Sequence, residues 1–181
     1  MVTINTEPVE ERKDRTINID ATKVYYEIDA HTSKFVAGKG MPVRQENSTA
    51  SDSHANLDGD IIKRLVDYRD AKLRNVLEGF MSENDEIISA DNTVTQSGGY
   101  SYILSFPLDF KDALLRPLAT FIHKYLVWGT LFDWYTQLGL NDEAVMYGRQ
   151  LEDIENEIER IVNTAGYEKI PLQPFGPAYK I

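Results

Sequence analysis

At 181 residues, 42% of them hydrophobic, the chain is long enough for one domain with a real core, which excludes disorder throughout. Its 29 acidic against 19 basic residues give a net charge of -10, which opposes tight phosphate binding and disfavours a nucleic-acid reader. There is no cysteine, so disulfide scaffolds, thiolate zinc sites and cysteine nucleophiles are excluded, and nothing calls for an oxidising compartment.

The first residues carry charges throughout (Glu7, Glu10, Glu11, Arg12, Lys13, Asp14, Arg15) with no apolar signal region, and no run of about 18 apolar residues occurs anywhere. The expectation is a soluble protein, cytoplasmic when made. Residues 1–15 read as a charged tail. In Lys23–Ile28, Val24, Tyr26 and Ile28 alternate with Lys23, Tyr25 and Glu27, the pattern of a half-buried strand. Asp29–Ser33 supplies turn residues and Phe35-Val36-Ala37 can pair back, so a β-hairpin is expected over 16–40. Residues 44–57 lack apolar periodicity and read as a linker.

Asp58 is placed to cap a helix running to about Met81, with Ile62, Val66, Leu73, Val76, Leu77 and Phe80 inward and Asp60/Arg64 and Asp70/Arg74 as i,i+4 pairs outside. After the polar segment 82–99, Tyr100, Tyr102, Leu104 and Phe106 alternate with Ser101, Ile103 and Ser105 in a strand stopped by Pro107. Pro117 fits the first position of the next helix and Gly139 its C′ end. The helix between, about 22 residues and on the order of 33 Å long, is apolar nearly all round, so it belongs in the core, with Leu126–Leu138 buried and Trp128 or Phe132 mostly covered. Gly129 in its middle predicts close approach of another backbone.

Asn141 is placed to cap a last helix, with Asp142 and Glu143 in its first turn. Ala144, Tyr147, Leu151, Ile154, Ile158, Ile161 and Ala165 form an unbroken stripe on that helix, a seam for a neighbouring helix. Around the seam lie Glu152, Asp153, Glu155, Glu157 and Glu159, against which Arg149 and Arg160 are the only cations. Past Gly166, Pro171, Pro174 and Pro177 favour an extended arm whose Ile170, Leu172, Phe175 and Tyr179 need somewhere to dock. The expected organisation is therefore 1–57, an N-terminal arm, β-hairpin and linker; 58–166, a helical core with a short strand over 100–106; and 167–181, an extended C-terminal arm. The fold class is mainly α: an antiparallel bundle of three long helices with a small β element and extended arms.

Motifs that carry chemistry are missing. No phosphate-binding glycine loop, dinucleotide fingerprint, nucleophile elbow or HExxH occurs. Asn56-Leu57-Asp58-Gly59-Asp60-Ile61 mimics part of a calcium-binding EF loop, but that register puts His54 and Leu65 where an acid and a bidentate Glu are required. His31, His54 and His123 fall in a turn, a linker and the core helix, and read as structural or solvated. The aromatic set Tyr125, Trp128, Phe132, Trp134 and Tyr135 has helical spacing, which suits core or subunit contact better than a ligand pocket. No catalytic, cofactor-binding or metal-binding residue is assigned, and an enzyme is not expected.

The order of N-terminal strands, helix, polar loop, short strand, the apolar segment KYLVWGTLFDWY and the helix DEAVMYGRQLEDIENEI resembles head–tail connector proteins of tailed bacteriophages. More specifically it is similar to neck ring proteins of phages infecting gut Bacteroidetes, including the crAss-like group. The likeness covers residues 58–165 and is carried by Trp134-Tyr135, Ala144, Tyr147 and the glutamate-rich helix to Ile161. It implies a structural virion protein: a homo-oligomeric ring, by family analogy a dodecamer, between the portal protein and further neck or tail proteins. The location implied is the virion neck, with the host cytoplasm during assembly. No cofactor is implied, no membrane is involved, and DNA would pass without being bound. The proline-rich arm would clasp a neighbour or the portal through Ile170, Leu172, Phe175 and Tyr179, and Glu152, Asp153, Glu155, Glu157 and Glu159 would face the channel and repel phosphates. The competing expectation is a small acidic inhibitor or regulatory protein whose glutamate-rich helix occupies a basic groove on a partner.

Overall fold

Alternating apolar side chains build the one sheet found among the described residues, which are 11–38, 55–83 and 99–164 of the computed structural model. Strand β1 (Arg12–Asp20) pairs antiparallel with β2 (Gly99–Pro107), from Arg12 opposite Pro107 to Asp20 opposite Gly99. Tyr100, Tyr102, Leu104 and Phe106 of β2 are fully buried, with Ile17 and Ile19 of β1 on the same inner face, so the alternation read over 100–106 is the strand's own pleat. Residues 12–15, expected in a charged tail, are instead the first part of β1. Arg12 and Asp14 fall on the solvated face, whereas Arg15 shares the inner face with Ile17, opposite Leu104, and its Nε donates to Asp112 at 2.6 Å. Two strands alone are marginal in water, and this pair is held by helices packed on its inner face.

The expected hairpin over 16–40 is corrected by α1 (Ala21–Gly38), which follows β1 directly. The Asp20 carboxylate accepts a hydrogen bond from the Thr22 amide at 2.9 Å and so caps the helix start, a contribution of about 1 kcal/mol. Ala21, Val24, Ile28 and Thr32 are buried at helical spacing, whereas Tyr26, which a strand would put beside Val24 and Ile28, is 73% exposed.

Helix α2 (Ala55–Val76) starts ahead of Asp58, which therefore lies inside the helix and not at its cap. It stops at Val76, and a 3₁₀ turn (Glu78–Phe80) carries the chain to Met81, where the helix was expected to end. Ile62, Val66, Leu73 and Leu77 are buried as expected, but Val76 lies on the exposed side.

A second 3₁₀ turn (Asp112–Leu114) leads into α3 (Leu115–Gln137). Pro117 is the third helical residue and not the first, and its missing N–H is equally harmless anywhere in the opening turn. At the other end Gly139 adopts φ 70°. Its amide donates to Thr136 at 3.1 Å and the Leu140 amide to Tyr135 at 3.0 Å, the paired bonds of a Schellman stop. Helix α4 (Asn141–Thr164) begins at once, with Asn141 as its first helical residue and the Leu140 carbonyl accepting the first-turn bond from Ala144.

Contacts between α3 and α4 fix their relation. Tyr135 stacks on Tyr147 at 5.4 Å, and Phe132 lies against Gly148. As the α3 number falls the α4 number rises, so the two form an antiparallel helical hairpin. Ala144, Tyr147, Leu151, Ile154, Ile158 and Ile161 are all buried against it; Ala165 lies outside the described residues. Helix α3 also touches α1, α2 and β1, the central position its composition demands. The described chain is thus mainly helical, with four helices where three were expected.

Candidate functional site

The acidic residues singled out in the sequence sit on the outside of α4. With the apolar stripe turned to α3, Glu152, Asp153 and Glu159 are exposed, and Glu155 and Glu157 are half-buried along the edges. Arg160 holds Glu157 at 2.6 Å across one turn, leaving a face whose charge is dominated by carboxylates. The arm residues Ile170, Leu172, Phe175 and Tyr179 lie outside the described residues, as does His54.

The core reading of α3 is correct at Leu126, Val127, Leu131 and Tyr135, but Trp128 and Phe132 are half-buried and Leu138 is exposed. Gly129 makes room for a side chain and not for a backbone: a Cβ there would stand 2.7 Å from Cδ of Arg69. Arg69, on α2, is 3% exposed. Its Nε and Nη2 donate to the two oxygens of Asp133 at 2.6 Å each, and its guanidinium lies 5.6 Å from the Phe132 ring centroid. Burial opposes the charge on Arg69, yet the Asp133 carboxylate outweighs that opposition and raises the guanidinium pKa above its ordinary value.

One turn further, the expected Asp70/Arg74 pair forms at 3.0 Å, but inside and not outside. Asp70 is fully buried and accepts the Tyr102 hydroxyl at 2.6 Å. Arg74 donates to the Ser101 carbonyl at 2.8 Å with its guanidinium carbon 4.8 Å from the centroid of the Tyr102 ring. Burial raises the Asp70 carboxyl pKa despite these partners, and burial beside Asp70 pushes the Tyr102 hydroxyl well up. Tyr100 completes the seam by donating to Asp67 at 3.2 Å and meeting the Tyr25 hydroxyl of α1 at 3.3 Å. These groups lock α2 to β2, α1 and α3. Sequence reasoning found only the Asp70/Arg74 pair, because every other bond joins residues far apart in the chain; the surviving signal was charge at helix positions flanked by Val66 and Leu73.

His31 lies on α1 and not in a turn, with Nδ1 3.1 Å from the Tyr147 hydroxyl, and Nε2 of His123 is 2.6 Å from Glu27. Among the described residues no group of three His, Cys, Asp or Glu is placed to hold a metal ion, and none of the helices is long and apolar enough to cross a membrane.

Turning the seam inward leaves α2 with an unusual outer surface. Of its cations in 61–76, Lys63, Arg64 and Lys72 are exposed, while of the two carboxylates there Asp70 is buried and Asp67, half-buried, accepts from Tyr100. Ile61, Tyr68 and Val76 are exposed large apolar residues on the same helix, and Lys72 Nζ stands 4.7 Å from the Tyr68 ring centroid. A second exposed apolar set, Leu138, Val145 and Met146, lies at the α3–α4 turn. Comparison with protein-family models, with curated proteins and with solved structures returns no match.

Proposed function

We propose that the chain is a structural protein of the tailed-phage virion, a subunit of a homo-oligomeric neck ring between portal and tail that completes the head and lets DNA pass. In this reading the helices form an antiparallel bundle as the body of each subunit, and the ring is a dodecamer by family analogy. The observation that supports it most is the α3–α4 hairpin: a central apolar helix carrying a partner whose outer sides hold Glu152, Asp153, Glu155, Glu157 and Glu159. Repeated around an opening, such faces sum to a field that repels phosphate and keeps a passing duplex from sticking. The C-terminal arm, through Ile170, Leu172, Phe175 and Tyr179, serves as a clasp to a neighbouring subunit or the portal.

The test is a phage lacking this chain, complemented in trans. Without it, DNA-filled heads and free tails should accumulate separately, and the wild-type chain should join them. Complementation with all five acids changed to Gln or Asn should restore joined particles that eject DNA more slowly, with the defect relieved by high salt. Normal particles formed without the chain would refute the reading; a cryo-electron map placing α4 on the outer circumference would remove the channel role alone.

A further inference from the structure

We infer that the outer stripe of α2 is the docking surface for the α3–α4 turn of a second copy of this chain, in a head-to-tail contact. Four observations carry this. First, Ile61, Arg64, Tyr68 and Lys72 follow one another at helical spacing on the solvent side, and the exposures of Ile61 and Tyr68, 39% and 50%, leave an apolar strip flanked by cations. Second, no exposed carboxylate lies among Ile61–Val76, in a protein of net charge -10. Third, the α3–α4 turn is its complement: Leu138, Val145 and Met146 are exposed by 51%, 53% and 48%. Between Leu138 and Gly148 the chain carries Asp142 and Glu143 and no cation. Fourth, α2 and α4 each pack on α3 with these stripes turned to solvent, so one copy cannot bring them together.

Apolar strips facing each other with opposite charges at the rim give both contact energy and register. Because the two surfaces differ, the contact is heterologous, and repetition closes a ring if the rotation allows. The acids from Glu152 onward stay outside the contact, free to face a passage. The inference borrows only its biological setting from the neck-ring reading above.

The absence of cysteine from the chain permits a clean test. Full-length Tyr68→Cys and Met146→Cys variants, mixed under mild oxidation, should give a covalent dimer, and each alone should give little. A chain carrying both changes should give a ladder of covalent oligomers. Adding Asp142→Lys to the Met146→Cys chain should slow cross-linking several-fold, and adding Lys72→Glu to the Tyr68→Cys chain should recover the rate. Absence of the mixed dimer at millimolar protein, equal dimer from Tyr68→Cys alone, or a rate indifferent to the charge exchange would each overturn the contact. A ladder from a chain that never enters virions would keep the contact and remove the neck reading; virion entry without a ladder would do the reverse.

Discussion

Replacing Asp133 with Ala should be among the most damaging single changes in the described chain. Asp133 supplies both acceptors for Arg69, whose side chain is 4% exposed, at 2.6 Å each. Without them the guanidinium stays enclosed beneath α3 with Tyr125 and the Phe132 ring but no counter-charge. Stranding a buried charge costs about 3–5 kcal/mol, a fall in the urea midpoint of about 1.5–2.5 M if the slope is near 2 kcal/mol/M. The converse change, Arg69→Met, leaves Asp133 at 17% exposure, where the carboxylate reaches water, so it should cost less, about 1–3 kcal/mol. The double variant Arg69→Met/Asp133→Leu should return to within about 1 kcal/mol of wild type or exceed it. Urea titration followed by circular dichroism reads all three. An unchanged midpoint for Asp133→Ala, or Arg69→Met as the worse single change, would refute the reasoning.

Gly129→Ala gains up to about 1 kcal/mol of helix propensity, but its Cβ would stand 2.7 and 2.9 Å from Cδ and Nε of an Arg69 pinned by two bonds. The variant should therefore lose about 1–3 kcal/mol net, whereas a rise in melting temperature would show that Arg69 is free to move. Asp70 gives a pH test: burial raises its carboxyl pKa above the ordinary 3.8, so between the two values the folded chain holds a proton the unfolded chain has released. This contribution is present below the unfolded pKa and is lost as pH rises through the raised folded one. Asp70→Asn should remove that loss, and its urea midpoint should gain on wild type as pH rises above the ordinary carboxyl pKa; a difference that does not change with pH would sink the assignment.

The parts of the fold legible in the sequence are those whose periodicity had one interpretation. Tyr100 to Phe106 alternate too strictly for a helix, and Ala144 to Ile161 repeat too regularly for anything else; both patterns are buried as read. Val24 and Ile28 were ambiguous, since a separation of four satisfies a strand and a helix alike. The deciding residue was Tyr26, solvent-exposed because a helix turns it away, and the overlooked local signal was Asp20, a helix cap directly ahead of Ala21. Ile17 and Ile19 were hidden by the charges before them, of which Arg15 shares their inner face and is held there by Asp112.

Electrostatic surface was less legible than fold, and α2 shows why. Counted by sequence, 61–76 holds five cations and two acids, an ordinary charged helix with an Asp70/Arg74 pair presumed outside. What the solvent meets depends on where Tyr102, Asp133 and Gly129 lie, and these come from β2 and α3. They draw Asp70, Arg69 and Arg74 inward, and Tyr100 engages Asp67, so the exposed side of 61–76 is left with Lys63, Arg64 and Lys72 beside Ile61, Tyr68 and Val76. The buried seam and the exposed basic stripe are therefore one arrangement seen from two sides. A change that releases Asp70 or Asp67 to the surface should weaken head-to-tail association as well as stability, because it places carboxylates on the face that meets Asp142 of the next copy.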